Sequence, residues 1–279
     1  MFSHYIVKGS GGIFRRYIGL LIITLSLVIL QGCSDTSQAR EELGKRGFTI
    51  STESFINSIE YNQPDVAFLF LRAGMDPNTI ITETKEPVII LASKNGNVKI
   101  VKLLIDFGAD INNRDTDGGT ALIHAASNGN IEVEKVLLEA GADINAEDFN
   151  FGNALTAALV KGYINDVKLL ISQGANVNYL NNLGQTPLMM ASYFGYAEIV
   201  KTLIENGADI NIACRDKGWT PLMYAIEQSH YEVVKILVEN GAKQDIHSWV
   251  GETALDMAKK IDNKLILQIL NKVEDQSDF

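Results

Sequence analysis

The chain has 279 residues, 46% of them apolar, enough for a sizeable core, so global disorder is excluded. Its 24 basic and 34 acidic residues leave a formal charge of −10, which repels phosphate backbones and argues against a nucleic-acid partner. Two cysteines, Cys33 and Cys214, are too few for a disulfide scaffold or a zinc site, and no two of the four histidines lie within ten residues of each other.

The amino terminus reads as an address. Lys8, Arg15 and Arg16 precede Tyr17 to Leu30, a run of 14 mostly apolar residues. A transmembrane helix needs about 20 such residues, so the run suits a secretory signal instead. It ends in Leu30-Gln31-Gly32-Cys33, which resembles the lipobox of bacterial lipoprotein signals. The resemblance implies removal of residues 1–32 and a thioether-linked diacylglycerol on Cys33, followed by acylation of the new amino group. Several chains anchor stably, since each buried CH₂ contributes about 0.8 kcal/mol. Without the leader, 21 basic and 34 acidic residues leave −13. Residues 33–47 then read as the lipidated cysteine and a polar tether, with no helical apolar spacing before Phe48.

Residues 48–271 are periodic. Gly-Ala pairs begin at Gly108, Gly141, Gly174, Gly207 and Gly241, in steps of 33, 33, 33 and 34. A second set, Gly96, Gly129, Gly162 and Gly195, keeps the same step of 33. Thr120, Thr186, Thr220 and Thr253 each stand where a hydroxyl can cap a helix, and Asn153 can do so in one further unit. Glu86 is a weaker cap at the equivalent place. Proline at 187 and 221 suits the first helical position. A short helix follows each cap, with Ala92, Ala125, Ala158, Ala191 and Ala225 at one phase, and the second glycine set then permits a left-handed turn. Ile100, Leu103, Leu104 and Phe107 show the i, i+3, i+4, i+7 spacing of a second, amphipathic helix. Asp110-Ile111-Asn112 and its relatives lead into loops of Gly, Asn and Asp. The loop between Asn211 and Thr220 is one residue longer than its relatives.

Thr186-Pro187-Leu188-Met189-Met190-Ala191 with Gly207-Ala208-Asp209-Ile210-Asn211 resembles the ankyrin repeat. The resemblance implies a mainly α solenoid of about seven helix-turn-helix units, with short β-hairpin or loop fingers. The unit from Phe48 to Asn78 reads as the amino-terminal cap and the one ending at Asn271 as the carboxy-terminal cap. Residues 272–279 form an acidic tail.

No phosphate loop, nucleophile elbow or His-Glu-x-x-His motif is present, so no catalytic residue, metal site or cofactor is expected. His124 and His230 read as structural, Cys214 as a small loop residue, and Asp110, Asp143 and Asp209 as residues that shape the repeat. The variable positions remain. In ankyrin proteins the finger tips and the exposed side of the first helix contact partners. Here those positions hold Phe149, Tyr179, Leu180, Leu183, Tyr193, Phe194, Trp219 and Trp249, against Thr116, Asp117, Ser127 and Asn128 in an earlier unit. Exposed aromatic rings are favoured interface anchors; the alternative is that several fold back between neighbouring fingers. The resulting expectation is a monomeric, lipid-anchored protein of the bacterial cell envelope, facing the periplasm. It would bind a protein partner, a basic one by charge, as an immunity protein or inhibitor of a toxin or effector. An accessory or scaffold role for an envelope enzyme, a secreted effector and an enzyme with an unrecognised site are the alternatives.

Overall fold

The computed structural model describes residues 35–150 and 152–274. The leader, Cys33 and the end of the acidic tail lie outside these residues. The chain divides into two compact units, residues 1–76 and 77–279.

In the first unit, residues 35–45 form a helix, α1, followed by α2 (Thr52–Glu60) and α3 (Pro64–Arg72). The tether expectation is corrected here. Ala39 and Leu43 are four residues apart, share one helix face and are buried, Leu43 completely. Arg40 donates from Nε and Nη2 to the Ala73 carbonyl at 3.2 and 3.1 Å. Arg72 pairs with Asp35 at 3.1 Å. Two apolar residues in a polar run were therefore sufficient once a surface existed to cover them. Ser51 caps α2 by accepting from the Ser54 N–H. Phe70 is the centre of the small core, with Phe48 edge-on at 6.1 Å and Phe55 tilted at 6.0 Å.

The second unit contains six helix pairs: α4 (Val88–Lys94) with α5 (Val98–Asp106), α6 (Ala121–Asn128) with α7 (Ile131–Glu139), α8 (Ala154–Lys161) with α9 (Ile164–Ser172), α10 (Pro187–Phe194) with α11 (Ala197–Glu205), α12 (Pro221–Glu227) with α13 (Tyr231–Glu239), and α14 (Ala254–Ile261) with α15 (Lys264–Glu274). With α2–α3 this makes seven pairs among the described residues, as the periodicity requires. First helices stack on first helices, α4 through α14, and second helices on second helices, α5 through α15. The five alanines of the common phase are all fully buried in this stack, where a larger side chain would force the helices apart.

Thr120, Asn153, Thr186, Thr220 and Thr253 each accept the N–H of the residue three positions on, as expected for caps that contribute about 1 kcal/mol apiece. Glu86 does not cap. Pro87 occupies the N-cap of α4, and the buried Glu86 carboxylate instead meets Lys94 Nζ at 2.7 Å, because a glutamate side chain overshoots the first turn. On α5, Ile100 and Leu104 are buried with Val101, whereas Phe107 is exposed, since it lies at the C-cap, past the last packed turn.

The turn between the two helices of a pair is left-handed at Gly195 (φ +77°). A side chain there would meet the His230 ring at 2.6 Å, and His230 Nε2 lies 3.0 Å from the Tyr193 carbonyl. The glycine is thus required twice, by its dihedral and by the next repeat. His230 has the structural role expected of it.

Fingers connect the pairs as loops; the only bridges seen among the described residues are isolated ones, Ile80 to Pro87 and Arg114 to Thr120. A ladder of asparagine side chains joins each finger to the next. Oδ1 of Asn78, Asn112, Asn145, Asn178 and Asn211 accepts from the backbone N–H of Asp110, Asp143, Asn176, Asp209 and Lys243, at 2.7–3.1 Å. Asp110, Asp143 and Asp209 in turn accept from the N–H two residues on, which aims each asparagine. These aspartates shape the repeat, as read.

One seam breaks the apolar pattern. At successive repeat steps Val101, Glu134, Val167, Val200 and Val234 are equivalent, as are Ile100, Val133, Asp166, Ile199 and Val233. Glu134 and Asp166, both buried, therefore replace apolar residues on the packed helices α7 and α9. Burial, with the charge of Asp166 nearby, pushes the Glu134 carboxyl up to about 9, so it is protonated at neutral pH.

Candidate interaction surface

Every finger from α5 onward has a root residue whose backbone N–H bonds to a carbonyl four or five residues on, closing the turn: Asp115, Asp148, Asn181, Cys214 and Ser248. The root side chain also accepts backbone N–H groups. Asp115 takes those of Asp117 and Gly119, and Asp148 those of Asn150 and Gly152. Asn181 takes Leu183 and Gln185. Cys214 Sγ takes Trp219, and Ser248 takes Glu252. Cys214 is thus the small loop residue expected, and the structure adds that it is a finger root and fully buried. The extra residue of this finger is absorbed between root and cap.

The first helix contributes a partner to the root. His124 Nε2 lies 2.6 Å from Asp115 Oδ2. Burial raises the Asp115 carboxyl, but the His124 hydrogen bond and the N–H groups of Gly119 and Asp117 outweigh it and hold it below the usual range. At the equivalent place Tyr224 donates to Cys214 Sγ at 3.3 Å and accepts from Gln185 Nε2 at 2.9 Å. Burial, then the Cys214 contact, raises the Tyr224 phenol.

The predicted surface residues separate into two groups. Tyr193 and Phe194 on α10 are exposed and meet edge-on at 5.2 Å; Tyr193 also stands edge-on to Tyr224 at 6.3 Å. Leu180 and Leu183 are exposed on the adjoining finger, which carries no charged residue between Asn176 and Gln185. Phe149 (75% exposed) and Trp249 (68% exposed) lie over Gly118 and Gly218 of the preceding fingers, yet leave most of their rings in solvent. Trp249 Nε1 donates to the Arg215 carbonyl at 3.0 Å.

Tyr179 and Trp219 belong to the second group. Tyr179 is half-buried against Gly152, and burial with the charge and hydrogen bond of Glu147 pushes its phenol up to about 12. Trp219 is half-buried and packs on Tyr224 at 5.3 Å, beside Met189 and Cys214. They fold back, as the alternative reading has it. Tyr193, Phe194 and Tyr224 line a groove of about 240 Å³ between α10, α12 and the long finger, together with Gln185, Met189, Met190, Asp216 and Lys217.

Sequence reasoning missed Tyr224 and Gln185. Their common signal was the repeat position: Tyr224 stands where His124 and Met190 stand, and a polar tip at that place must find a partner. Among the described residues, no group of three or more His, Cys, Asp or Glu side chains is placed to hold a metal, and no helix is long and apolar enough to cross a membrane.

The family described as "Ankyrin repeats (3 copies)" matches residues 55–148 and 149–214, and "Ankyrin repeats (many copies)" matches 198–238. Protein HOS4 of Saccharomyces cerevisiae is 41% identical over 80 residues, which are 29% of this chain and 7% of that protein's length. The human ASB11 ankyrin repeat domain superposes with a TM-score of 0.68 at 24% identity, over 77% of this chain and 96% of that one. The ankyrin repeat domain of Bcl-3, described as a unique member of the IkappaB protein family, gives 0.71 at 22%, over 78% and 97%. These likenesses show the fold. With the matched segments covering most of the sequence, the chain belongs to the ankyrin-repeat family.

Proposed function

We propose that this chain is a lipid-anchored protein of the bacterial envelope that binds another protein through the fingers and first helices from Phe149 onward. The observation that carries the binding role is the set of solvent-exposed rings, Phe149, Tyr193, Phe194 and Trp249, held by packed neighbours in the same unit. Large exposed rings raise the cost of the free state unless a partner covers them. The partner is basic. Asp110, Asp117, Asp143 and Glu147 are exposed on the two fingers before this surface, with Arg114 as their one exposed counter-charge there. The fold and its matches favour an interaction module over an enzyme. Immunity against, or inhibition of, a basic toxin or effector is the specific role we assign. The anchor rests on Leu30-Gln31-Gly32-Cys33.

The test is affinity capture from envelope extract with the full chain and with its Tyr193→Ala, Phe194→Ala variant. One protein held by the first and lost from the second, at matched thermal stability, is expected. Equal capture by both overturns the surface assignment. For the anchor, Cys33→Ser is expected to abolish labelling by a fatty-acid probe and to release the chain from membranes; unchanged labelling overturns it.

A further inference from the structure

The helix α1 decides where an anchor leaves the folded chain. Its far end is closed by two bonds, from Gly47 N–H to the Gly44 carbonyl at 3.0 Å and from Phe48 N–H to the Leu43 carbonyl at 2.9 Å, with Gly47 left-handed at φ +81°. Phe48 then packs on Phe70. At its near end Asp35 pairs with Arg72, the last residue of α3, and Arg40 holds the Ala73 carbonyl just beyond. Ala39 and Leu43 fill the face between these two ends. The helix is therefore part of the first unit along its whole length. Cys33 stands two residues before Asp35. Two residues span about 7 Å at full extension. A flexible tether from 33 to 47 would instead reach roughly 20 Å on average.

We propose that α1 is a rigid strut that holds the first unit against the lipid headgroups around its own anchor, with the stretch from Arg72 to Asp76 turned to the bilayer. The inference rests on the reading of Cys33 as lipidated and adds the surface that meets the membrane. The direction follows from the Asp35–Arg72 pair, which brings the start of α1 to the carboxy-terminal end of α3. Asp65, in the first turn of α3, lies seven residues before Arg72, about 10 Å back along the helix axis. Charge is not what brings this end to the membrane. Residues 35–76 hold four basic and seven acidic side chains, a balance that does not attract anionic headgroups. The short covalent connection imposes the contact, so it is independent of lipid charge. What the anchor loses in reach it gives in orientation.

The test uses the full chain purified with its anchor and placed in vesicles of phosphatidylethanolamine and phosphatidylglycerol. A fluorophore is attached at Asp76→Cys or at Asp65→Cys, both exposed positions. Cys33 is closed by its thioether and Cys214 is fully buried, so neither competes for the label. Lipids with a nitroxide on the headgroup quench a fluorophore only at short range. Strong quenching is expected at 76 and weaker quenching at 65. Inserting a flexible Gly-Ser segment of about 12 residues between Ser34 and Asp35 should abolish quenching at both positions while vesicle binding is kept. Leu43→Ser with Arg40→Ala should cause the same loss by freeing α1. Exchanging phosphatidylglycerol for phosphatidylcholine should leave the quenching unchanged. Equal quenching with and without the insert, or stronger quenching at 65 than at 76, overturns the strut and leaves the anchor. A chain that does not bind vesicles at all overturns the anchor, and the strut with it.

Discussion

In the α6–α7 repeat the finger root is Asp115, clamped by His124 at 2.6 Å; in the α12–α13 repeat the same two places hold Cys214 and Tyr224 at 3.3 Å. The backs of the two repeats differ as well. Glu134 stands in the first where Val234 stands in the second, both fully buried. One backbone plan therefore carries a polar, charge-held unit and an apolar, ring-held unit. The difference teaches where the repeat has latitude. The left-handed turn is kept in both, by Gly129 (φ +69°) in the first and Ser229 (φ +58°) in the second, and the buried alanine is kept as Ala125 and Ala225, whereas root and seam positions need only a partner of matching chemistry.

Exchanging the roots should have the largest effect. Cys214→Asp puts a carboxylate in a fully buried site with a phenol for company and no cation. It should lower stability by about 3–5 kcal/mol, and adding Tyr224→His should restore part of that loss by rebuilding the His124 arrangement. Urea denaturation measures both; a single substitution without cost would mean that the roots are interchangeable after all.

Making the seams alike comes next. The double substitution Glu134→Val, Asp166→Ile gives α7 and α9 the side chains of their neighbours. It should stabilise the fold by about 1–4 kcal/mol at pH 8. The pH dependence carries its own sign. Glu134 titrates near 9 when folded and near the ordinary carboxyl value when unfolded. Its contribution is therefore full below about 4.5 and lost progressively as pH rises through 9. Thermal unfolding between pH 5 and 9 should show this decline in the native chain and a flatter profile in the double variant.

Loosening the polar root is a smaller change. Asp115→Asn weakens the bond to His124 and should cost about 1–2 kcal/mol near neutrality. The Asp115 carboxyl is held below its ordinary value, so its stabilisation is present above about pH 4 and fades as pH falls through the lowered value. The variant should accordingly lose less than the native chain on acidification. Smallest of all, Tyr193→Ala removes an exposed ring whose edge contacts contribute about 0.5–1 kcal/mol, and the melting temperature should shift little.

The fold was legible because its markers act locally. A threonine caps whatever helix follows it, and the left-handed turn takes glycine at 96, 129, 162 and 195, so period 33 could be read directly. Residues 35–45 were not legible, because Ala39 and Leu43 form a stripe only once a surface faces them. The exposed rings at 149, 193, 194 and 249 could be placed from the repeat position. Trp219 and Tyr179 could not, since whether a ring turns outward depends on Tyr224 and Gly152 in other segments. Glu134 and Asp166 were readable in principle, as charges breaking two apolar columns, but only with the repeats aligned.

The asparagine ladder bears on how such a chain can change its length. Each rung joins one finger to the next and to nothing further away, and its span of 31 or 32 residues is set within a single period. Duplicating or excising a whole unit leaves every remaining rung with a partner of the same kind. An insertion inside a helix would misalign the rung on each side of it, whereas the one-residue excess between Asn211 and Thr220 leaves the Asn211 rung at 2.8 Å. The gene can thus grow or shrink by whole modules, or by single codons in the fingers, without redesigning the joints.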